Sequence, residues 1–498
     1  MSTQTSETCA CFHLIMGKKP GISAFHGYNL KIRLATKENM DNKIDRWLDE
    51  HKDAILAELA ELVSYKSVSV YEPDATDPFG HECSAVLEKA LELAKKHGLS
   101  GTNLDNYCGY ARLDVNADPK EFGLFAHLDV VPELEGWFGD PFKMEIREGW
   151  AIGRGTSDNK GAAVGSMFAL EYLRTQIQPR HNWLLFFGLN EESGMRDLAY
   201  FLKHHLAPAV SLVPDAAFPV CYAEKSHINI RVKFDLSNTN ILSVHAGTVV
   251  NIVPGDAEAF ITDKECFEID PANVGSLSAT KVAAKGLSAH ASTPDHGVNA
   301  IAKLAEELLA GDLLNAEGRI VMEMVHTLAA DNHGDVAGVN RVDPDLGDTS
   351  HACSIARVEG RDLLLTFDIR FPASTKAQEI SDQLKAFYQE KGLGIEVLRF
   401  DDALPKDPHA PLIGKLTEIV NEVKGTKLEP YTMGGGTYAR KLPNAYGFGL
   451  DSDSPRPDFF PPGHGNVHQP NEAIHLDEYF QGLKILIKAM LWLDANEN

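Results

Sequence analysis

The sequence is short of basic residues and has no long apolar run. Its 47 Lys and Arg residues stand against 71 Asp and Glu residues, which gives a formal net charge of −24. Nucleic acid and anionic membranes repel a surface this acidic, so neither is expected as a partner. No apolar stretch approaches the roughly 18 residues that a membrane-spanning helix requires. These absences disfavour both membrane-embedded and nucleic-acid-binding proteins.

Cysteine is scarce as well. The seven cysteines are scattered, at Cys9, Cys11, Cys83, Cys108, Cys221, Cys266 and Cys353. An odd number at these spacings matches neither a disulfide framework nor a zinc finger, and free thiols suit a reducing compartment. The apolar octet Cys9–Met16 is followed rather than preceded by basic residues, unlike a secretory signal. We therefore expect a cytoplasmic protein.

Two common hydrolase motifs are missing too. The sequence contains no Gly-x-Ser-x-Gly elbow and no His-Glu-x-x-His helix. The first absence disfavours a serine-nucleophile hydrolase, and the second disfavours one large class of zinc peptidase.

What the sequence does contain is a series of acidic and histidine residues at the ends of strand-like segments. The members are His127, Asp158, Glu191, Glu192, Asp215 and His468. In open α/β sheets, groups that follow different strands converge on one crevice. Imidazole and carboxylate groups bind zinc, and a shared carboxylate can join two zinc ions about 3.5–4 Å apart. The series therefore predicts a hydrolytic metal site.

Each of these residues has an ordinary structural interpretation when it is taken alone. Either histidine could be a surface or core residue, Asp158 could be a turn residue or a helix N-cap, and Glu191 with Glu192 could be a solvated helix start. The metal-site interpretation depends on the agreement of all these positions.

Helix and strand patterns alternate through most of the chain. They predict an α/β catalytic domain with a mainly parallel sheet, formed by residues 40–220 and 404–498. Residues 221–403 instead show the alternation of an antiparallel sheet with one wet face, which we interpret as an inserted α+β lid. A helical apolar stripe begins only after Met40. Residues 1–39 are therefore expected to be a disordered or non-native extension.

Three segments resemble motifs of the di-zinc aminoacylase/carboxypeptidase family of metallopeptidases. The segments are Phe125–Pro132, Gly153–Gly161 and Asn190–Gly194, and the likeness extends from about Met40 to the C-terminus. The resemblance implies a zinc-exopeptidase-like three-layer catalytic domain and a cis peptide bond at Asp158–Asn159. It also implies two Zn²⁺ ions per chain, with Mn²⁺ or Co²⁺ as substitutes.

The resemblance assigns a role to each candidate residue. The residues that match the family's ligands are His127, Asp158 and Asp215 for the first zinc, and Asp158, Glu192 and His468 for the second. Glu191 would be the general base. Asp129 resembles the carboxylate that orients the imidazole of His127.

Further candidates lie on the substrate side. Gly286–Ser292 resembles the lid segment whose histidine reaches over the metals, which makes His290 the candidate oxyanion stabiliser. Asn251 and Arg370 resemble lid residues that face the substrate, Arg370 as a partner for a free carboxylate. The segment Met433–Arg440 resembles the dipeptidase pocket for that carboxylate, with candidates Gly434, Gly435, Gly436, Thr437 and Arg440. Without the family pattern, these residues are equally well explained as ordinary loop and strand-end residues.

The branch that the chain resembles is the bacterial Xaa-His, or carnosinase-type, dipeptidase branch. It implies zinc-dependent hydrolysis of dipeptides with free N- and C-termini, of Xaa-His or β-Ala-Xaa type, by a metal-activated water. The long lid resembles that of monomeric members, so a monomer is expected and a homodimer is not excluded.

Two alternative functions stay open. A related amidohydrolase, such as an N-acyl amino acid deacylase or a succinyl-diaminopimelate desuccinylase, would share every zinc ligand. A non-catalytic metal-binding homologue is disfavoured, because a protein that only holds metal would need neither Glu191 nor His290.

Overall fold

The computed structural model describes residues 22–115, 120–133, 135–262, 278–451 and 454–496, with the backbone alone for residues 22–39. The described residues form two compact units, divided between Asp53 and Ala54. The helices are α1 (Ile22–Val63), α2 (His81–Lys96), α3 (Lys160–Tyr172), α4 (Arg196–His204), α5 (Ala300–Ala310), α6 (Ala316–Ala329), α7 (Ala377–Glu390), α8 (Pro411–Lys424) and α9 (Leu476–Asn496). None of these helices is both long and apolar enough to cross a membrane.

The strands fall into two large and two small sheets. In chain order they are β1 (Ser100–Leu104), β2 (Cys108–Leu113), β3 (Glu121–His127), β4 (Glu145–Arg147), β5 (Trp150–Ile152), β6 (Asn182–Gly188), β7 (Val210–Val213), β8 (Cys221–Glu224), β9 (Ser226–Asp235), β10 (Ile241–Ala246), β11 (Ile252–Val253), β12 (Asp256–Thr262), β13 (Ala279–Lys285), β14 (Ala289–His290), β15 (Ser350–Glu359), β16 (Asp362–Phe371), β17 (Gly394–Asp401), β18 (Tyr431–Met433), β19 (Ala445–Gly447) and β20 (Ala473–His475).

The first large sheet has the strand order β1-β2-β6-β3-β7-β19-β8-β18 and is mixed. Its central strands β6, β3 and β7 are parallel. Every residue of β3 and β6 is buried, so both faces of these strands are covered and their sequences are largely apolar. This is the α/β core that the alternating pattern predicts.

The second large sheet has the order β13-β12-β10-β15-β16-β9-β17 and is antiparallel throughout. Apolar side chains from one face pack with α5, α6 and α7 into a single buried cluster. The sequence predicted this one-sided burial from alternating residues in β9 and β16. Residues 221–224, predicted as the first residues of the lid, instead form β8 of the first sheet, because they pair with β18 and β19.

The chain enters and leaves the second sheet at neighbouring points. Only Lys225 separates β8 from β9. At the other end, Asp401 of β17 pairs with His227, and the backbone N–H of Ala403 donates to Oγ of Ser226 at 3.0 Å. The second sheet is therefore an insertion whose two ends are held together.

Helix α1 begins at Ile22 rather than after Met40, where the apolar stripe starts. No proline occurs between Ile22 and Val63, so nothing in the sequence interrupts the helical hydrogen bonds upstream of the stripe. Residues 1–21 lie outside the described part of the chain. The expectation that residues 1–39 are an extension stays a prediction.

Candidate active site

Several predicted groups follow neighbouring parallel strands. They are His127 at the end of β3, Glu191 and Glu192 after β6, and Asp215 after β7. Because β3 pairs in parallel with both β6 and β7, these strands end at the same edge of the sheet. Asp158 precedes α3, and His468 lies in the loop before β20. The structure brings all six groups into one cluster.

Asp158 lies between the two histidines. Its Oδ1 is 2.9 Å from Nε2 of His127, and its Oδ2 is 3.0 Å from Nε2 of His468. Nε2 of His468 is also 3.2 Å from Oε2 of Glu192, and Nε2 of His127 is 3.7 Å from Oδ2 of Asp215. A carboxylate with one imidazole at each oxygen has the arrangement that a bridging ligand needs.

The donor set fits a divalent metal. Candidate ligand atoms of His127, Asp158 and Glu192 lie within 4.8 Å of one another, and so do those of His127, Glu191 and Asp215. Oε1 of Glu191 and Oε1 of Glu192 are buried and accept no hydrogen bond within the described residues. Buried polar atoms without partners are costly, and a cation would satisfy them. Imidazole nitrogen with carboxylate oxygen is a zinc-type donor set.

The electrostatics of the cluster also call for positive charge. Burial raises the pKa of Glu191 and of Asp215 well above the usual carboxyl range. Burial alone would lower the pKa of His468, but Glu192 and Asp158 raise it to about 11. A proton on His468 thus supplies positive charge that stabilises the neighbouring carboxylates. A metal ion would supply the same charge and release that proton.

Asp129 holds several parts of the cluster in place. Its Oδ1 accepts the backbone N–H of Glu191 at 3.1 Å, and its Oδ2 accepts that of Glu192 at 3.2 Å. Nδ1 of His127 lies 3.4 Å from Oδ1 of Asp129 and 2.9 Å from its backbone oxygen. Asp129 is therefore placed to orient both the imidazole and the paired glutamates.

Asn159 is a site residue that the sequence pattern did not single out. Its Nδ2 donates to Oδ1 of Asp215 at 2.8 Å, and its Oδ1 accepts the backbone N–H of His127 at 3.3 Å. The cis peptide bond implied at Asp158–Asn159 is present. The position of Asn159 directly after Asp158 in the Gly153–Gly161 motif was the sequence feature that could have indicated a role in the site.

His290 has a defined donor. The backbone N–H of Ser292 donates to Nδ1 of His290 at 3.2 Å, and Oγ of Ser292 is 2.7 Å from the same atom. Nδ1 therefore accepts, so the neutral imidazole carries its proton on Nε2. His290 keeps exposed surface, yet loss of water around it, with the charge of Arg370, lowers its pKa to about 4. Asn251 is its neighbour, because β11 pairs with β14 and Ala291 donates to the backbone oxygen of Asn251.

Arg370 connects the second sheet to the glycine loop, residues Gly434–Gly436. Its Nε and Nη2 donate to the two oxygens of Asp368 at 3.0 and 2.9 Å, and its Nη1 donates to the backbone oxygen of Gly434 at 2.6 Å. Gly434 also packs against Ser292, since a Cβ at Gly434 would lie 2.4 Å from Cβ of Ser292. Arg370, the glycine loop and His290 thus form one connected group.

Thr437 and Arg440 flank this group and contact acidic residues, and Nη1 of Arg440 would lie 2.3 Å from a Cβ at Gly436. The backbone N–H and the hydroxyl of Thr437 both donate to Glu224, at 2.7 and 2.6 Å. Arg440 is buried, and its Nη2 lies 3.6 Å from Oδ2 of Asp401. Both side chains therefore anchor the glycine loop, and their role as direct carboxylate ligands stays a prediction.

Known proteins similar to this chain include peptidases. The model of Peptidase family M20/M25/M40 matches residues 123–492. Putative dipeptidase YtjP of Bacillus subtilis (strain 168) is 29% identical over 436 residues, which cover 83% of this chain and 91% of that protein. The Beta-Ala-Xaa dipeptidase of Lactobacillus delbrueckii subsp. lactis is 28% identical over 486 residues, which cover 92% of this chain and 100% of that protein.

Two solved structures share the fold. Human carnosine dipeptidase 1 matches with a TM-score of 0.59 at 15% identity, and the dipeptidase Dug1p of Saccharomyces cerevisiae with 0.58 at 14%. Each match covers 92% of this chain and 99% of the other. The expected α/β fold with an inserted lid is confirmed. Members of the matching family are generally metal-dependent. Because the family model covers most of its length, this chain belongs to peptidase family M20/M25/M40.

Proposed function

We propose that the chain is a zinc-dependent dipeptidase that hydrolyses dipeptides with free N- and C-termini, of Xaa-His or β-Ala-Xaa type. The observation that carries this proposal is Asp158 with one histidine at each oxygen, beside a Glu191 carboxylate that has an unpartnered oxygen within the described residues. The Beta-Ala-Xaa dipeptidase and the carnosine dipeptidase among similar proteins support the substrate class.

The proposed centre would hold two Zn²⁺ ions, with Mn²⁺ or Co²⁺ as substitutes. His127, Asp158 and Asp215 would hold one ion, and Asp158, Glu192 and His468 would hold the other. Bound zinc lowers the pKa of coordinated water toward ~7 and polarises a carbonyl oxygen.

The protein's own groups divide the remaining work. Glu191 takes a proton from the attacking water and later gives it to the leaving amine. His290 donates from Nε2 to the oxyanion. Arg370 has five N–H donors, of which Asp368 and Gly434 take three within the described residues, so two are left for a substrate carboxylate.

The proposal includes the organisation of the molecule. Residues 40–220 and 404–498, together with β8, would form the catalytic domain, and the rest of residues 221–403 would form the lid. His290 and Arg370 would act within one chain, so a monomer suffices, with a homodimer as the alternative. Cys83, Cys108, Cys221 and Cys353 are free and buried, which supports a cytoplasmic location.

Metal analysis and a substrate panel test the proposal together. We expect two zinc ions per chain and hydrolysis of a free dipeptide. Amidation of the C-terminus should lower kcat/KM by a factor that corresponds to several kcal/mol of lost transition-state binding. An N-acetylated dipeptide should also be poor. If N-acyl amino acids or N-succinyl substrates are hydrolysed best, the chain is the related amidohydrolase. Metal binding without hydrolysis of any substrate would identify a non-catalytic homologue.

A further inference from the structure

Glu472 is a buried carboxylate that the roles above leave unused. It follows His468 by four positions and directly precedes β20, and it has no exposed surface. Its Oε1 accepts the backbone N–H groups of Gly155, Ser157 and Asp158 at 3.0, 3.1 and 3.0 Å. These three residues form the turn that carries Asp158.

The second oxygen of Glu472 has a partner of its own. Nη1 of Arg154 donates to Oε2 at 2.6 Å, and Nη2 of Arg154 lies 3.3 Å from the backbone oxygen of Pro132. Arg154 is also fully buried, with its guanidinium 5.3 Å from the ring centre of Trp137. Neither charge can reach a substrate, so the pair acts on the protein itself.

The placement of Glu472 joins two candidate ligands. The segment from His468 to Glu472 supplies one imidazole and then, four residues later, the carboxylate that fixes the turn of Asp158. The 3.0 Å contact between Nε2 of His468 and Oδ2 of Asp158 is thus spanned by a short stretch of chain anchored at both ends. Charge-assisted bonds to three backbone donors hold a turn more firmly than neutral ones.

We propose that Glu472 is a positioning residue that keeps Asp158 and His468 in ligand geometry, and that its measurable effect is metal retention. The inference rests on the metal centre proposed above. Removing a group that orients a ligand typically costs about 10–100-fold in metal affinity. Glu472 touches neither substrate nor metal, so the effect passes through the backbone of Asp158.

The test measures zinc release from full-length holoenzyme into a chromophoric chelator, with metal content determined by mass spectrometry. Glu472→Ala should release zinc about 10–100-fold faster than the wild type. The matched control is Asp494→Ala. Asp494 is also a buried carboxylate, and it accepts the backbone N–H groups of Arg180 and His181 at 2.9 and 3.1 Å, away from the cluster. The Asp494→Ala variant should have lower thermal stability than the wild type and an unchanged rate of zinc release.

A second variant covers the case in which Glu472→Ala does not fold. The double change Arg154→Met and Glu472→Gln removes both charges and keeps a carbonyl oxygen for the three N–H groups. It should release zinc faster than the wild type, and more slowly than Glu472→Ala where that variant folds, because neutral hydrogen bonds hold the turn less firmly than charge-assisted ones. Wild-type release from Glu472→Ala, or equally fast release from Asp494→Ala, would overturn the inference, and so would wild-type release from the double variant. Wild-type protein that binds no metal would instead overturn the proposed function.

Discussion

At the residue scale, Glu191 and Glu192 are chain neighbours with different proposed tasks. Oε2 of Glu192 forms an ion pair with His468, whereas Glu191 forms none with a histidine in the described part of the chain. Burial raises the pKa of both carboxyl groups, that of Glu191 well above its usual range. Glu191→Gln should therefore keep wild-type metal content and lose roughly 10²–10⁴-fold in kcat, since general acid–base catalysis is worth that much. Mass spectrometry of bound metal and dipeptide turnover test this. Glu192→Gln is the control and should lose metal as well as activity. Loss of metal from both variants would contradict the division.

Asp368 is the residue that orients Arg370. It holds Nε and Nη2 of the guanidinium, and Nε2 of His227 lies 3.0 Å from its Oδ1. Hydrogen bonds between charged groups contribute about 1.5–3 kcal/mol, so Asp368→Asn should raise KM for a free dipeptide on the order of tenfold with little change in kcat. Steady-state kinetics with a free and a C-amidated dipeptide are the measurement. The amidated substrate has no carboxylate to lose, so a similar rise in its KM would refute the role.

At the element scale, the glycine loop is packed too closely for a side chain. A Cβ at Gly434 would lie 2.4 Å from Cβ of Ser292, the residue that holds His290. Gly434→Ala should displace the loop or Ser292 and lower kcat/KM at least about tenfold, because small misplacements of catalytic groups are costly. Gly414→Ala in α8 is the control, since nothing lies within 4 Å of its Cβ. It should leave activity unchanged and stabilise the helix by up to ~1 kcal/mol. Unchanged kinetics in Gly434→Ala would show that the loop is not part of the site.

The buried His97 contacts carboxylates of two neighbouring helices. Nδ1 of His97, at the end of α2, is 2.7 Å from Glu171 of α3, and its Nε2 is 2.9 Å from Glu58 of α1. Burial lowers the pKa of His97, but the two carboxylates raise it to about 9. Because the folded pKa is above the unfolded value of about 6.5, the stabilisation is complete below about pH 6.5 and is lost as pH rises through about 9.

The expected result is a pH-dependent stability difference. His97→Gln should lower the free energy of unfolding by an amount on the order of 3 kcal/mol near about pH 6, where the fall in the thermal midpoint should also be largest. The difference in stability between variant and wild type should shrink by about pH 10. Thermal unfolding followed by circular dichroism measures it. His245→Gln changes an exposed histidine of β10 and is the control. A difference that is constant with pH would mean that His97 contributes by packing alone.

The sequence was enough to predict which residues at strand ends meet in the site, but it was not enough to predict the side-chain contacts of the loops. Parallel strands end at one edge of a sheet, so the order of strand-like segments is enough to predict that His127, Glu192 and Asp215 meet. The observed contacts of Thr437 and Arg440 could not be predicted in this way. Their glycine-rich segment has no periodicity to indicate which way each side chain points, and the partners that take them, Glu224 and Asp401, are distant in sequence.

The roles of Asn159 and Glu472 were not predicted because their hydrogen-bond partners are distant in sequence. Asn159 and Glu472 lie in or beside the motifs that carry the ligands, yet a motif does not state that one amide reaches Asp215 or that one carboxylate reaches the turn of Asp158. The start of α1 was missed for a different reason. An apolar stripe reports the buried face of a helix, and a helix can continue where no such face exists.

At the scale of the whole molecule, the N-terminal segment is the part with no proposed task. A chain that begins at Met40 keeps every proposed site residue and every strand. It should hydrolyse a dipeptide with the kcat/KM of the full-length protein, within about twofold, since catalysis depends on the positioning of groups that remain. Parallel purification, gel filtration and kinetics of the two chains provide the test. Aggregation or inactivity of the shorter chain would show that residues 1–39 are needed.

The closely spaced ends of the second sheet make the protein modular. His290, Arg370 and Asn251 lie within residues 226–401, whereas all five proposed metal ligands lie outside them. The hydrogen bond between Ala403 and Ser226 shows that a short linker would span the gap left if this segment were excised. The five proposed metal ligands and three of the proposed substrate-facing residues are thus encoded in separate stretches of the gene. Variation in the inserted stretch can redirect the substrate while the metal centre is inherited unchanged.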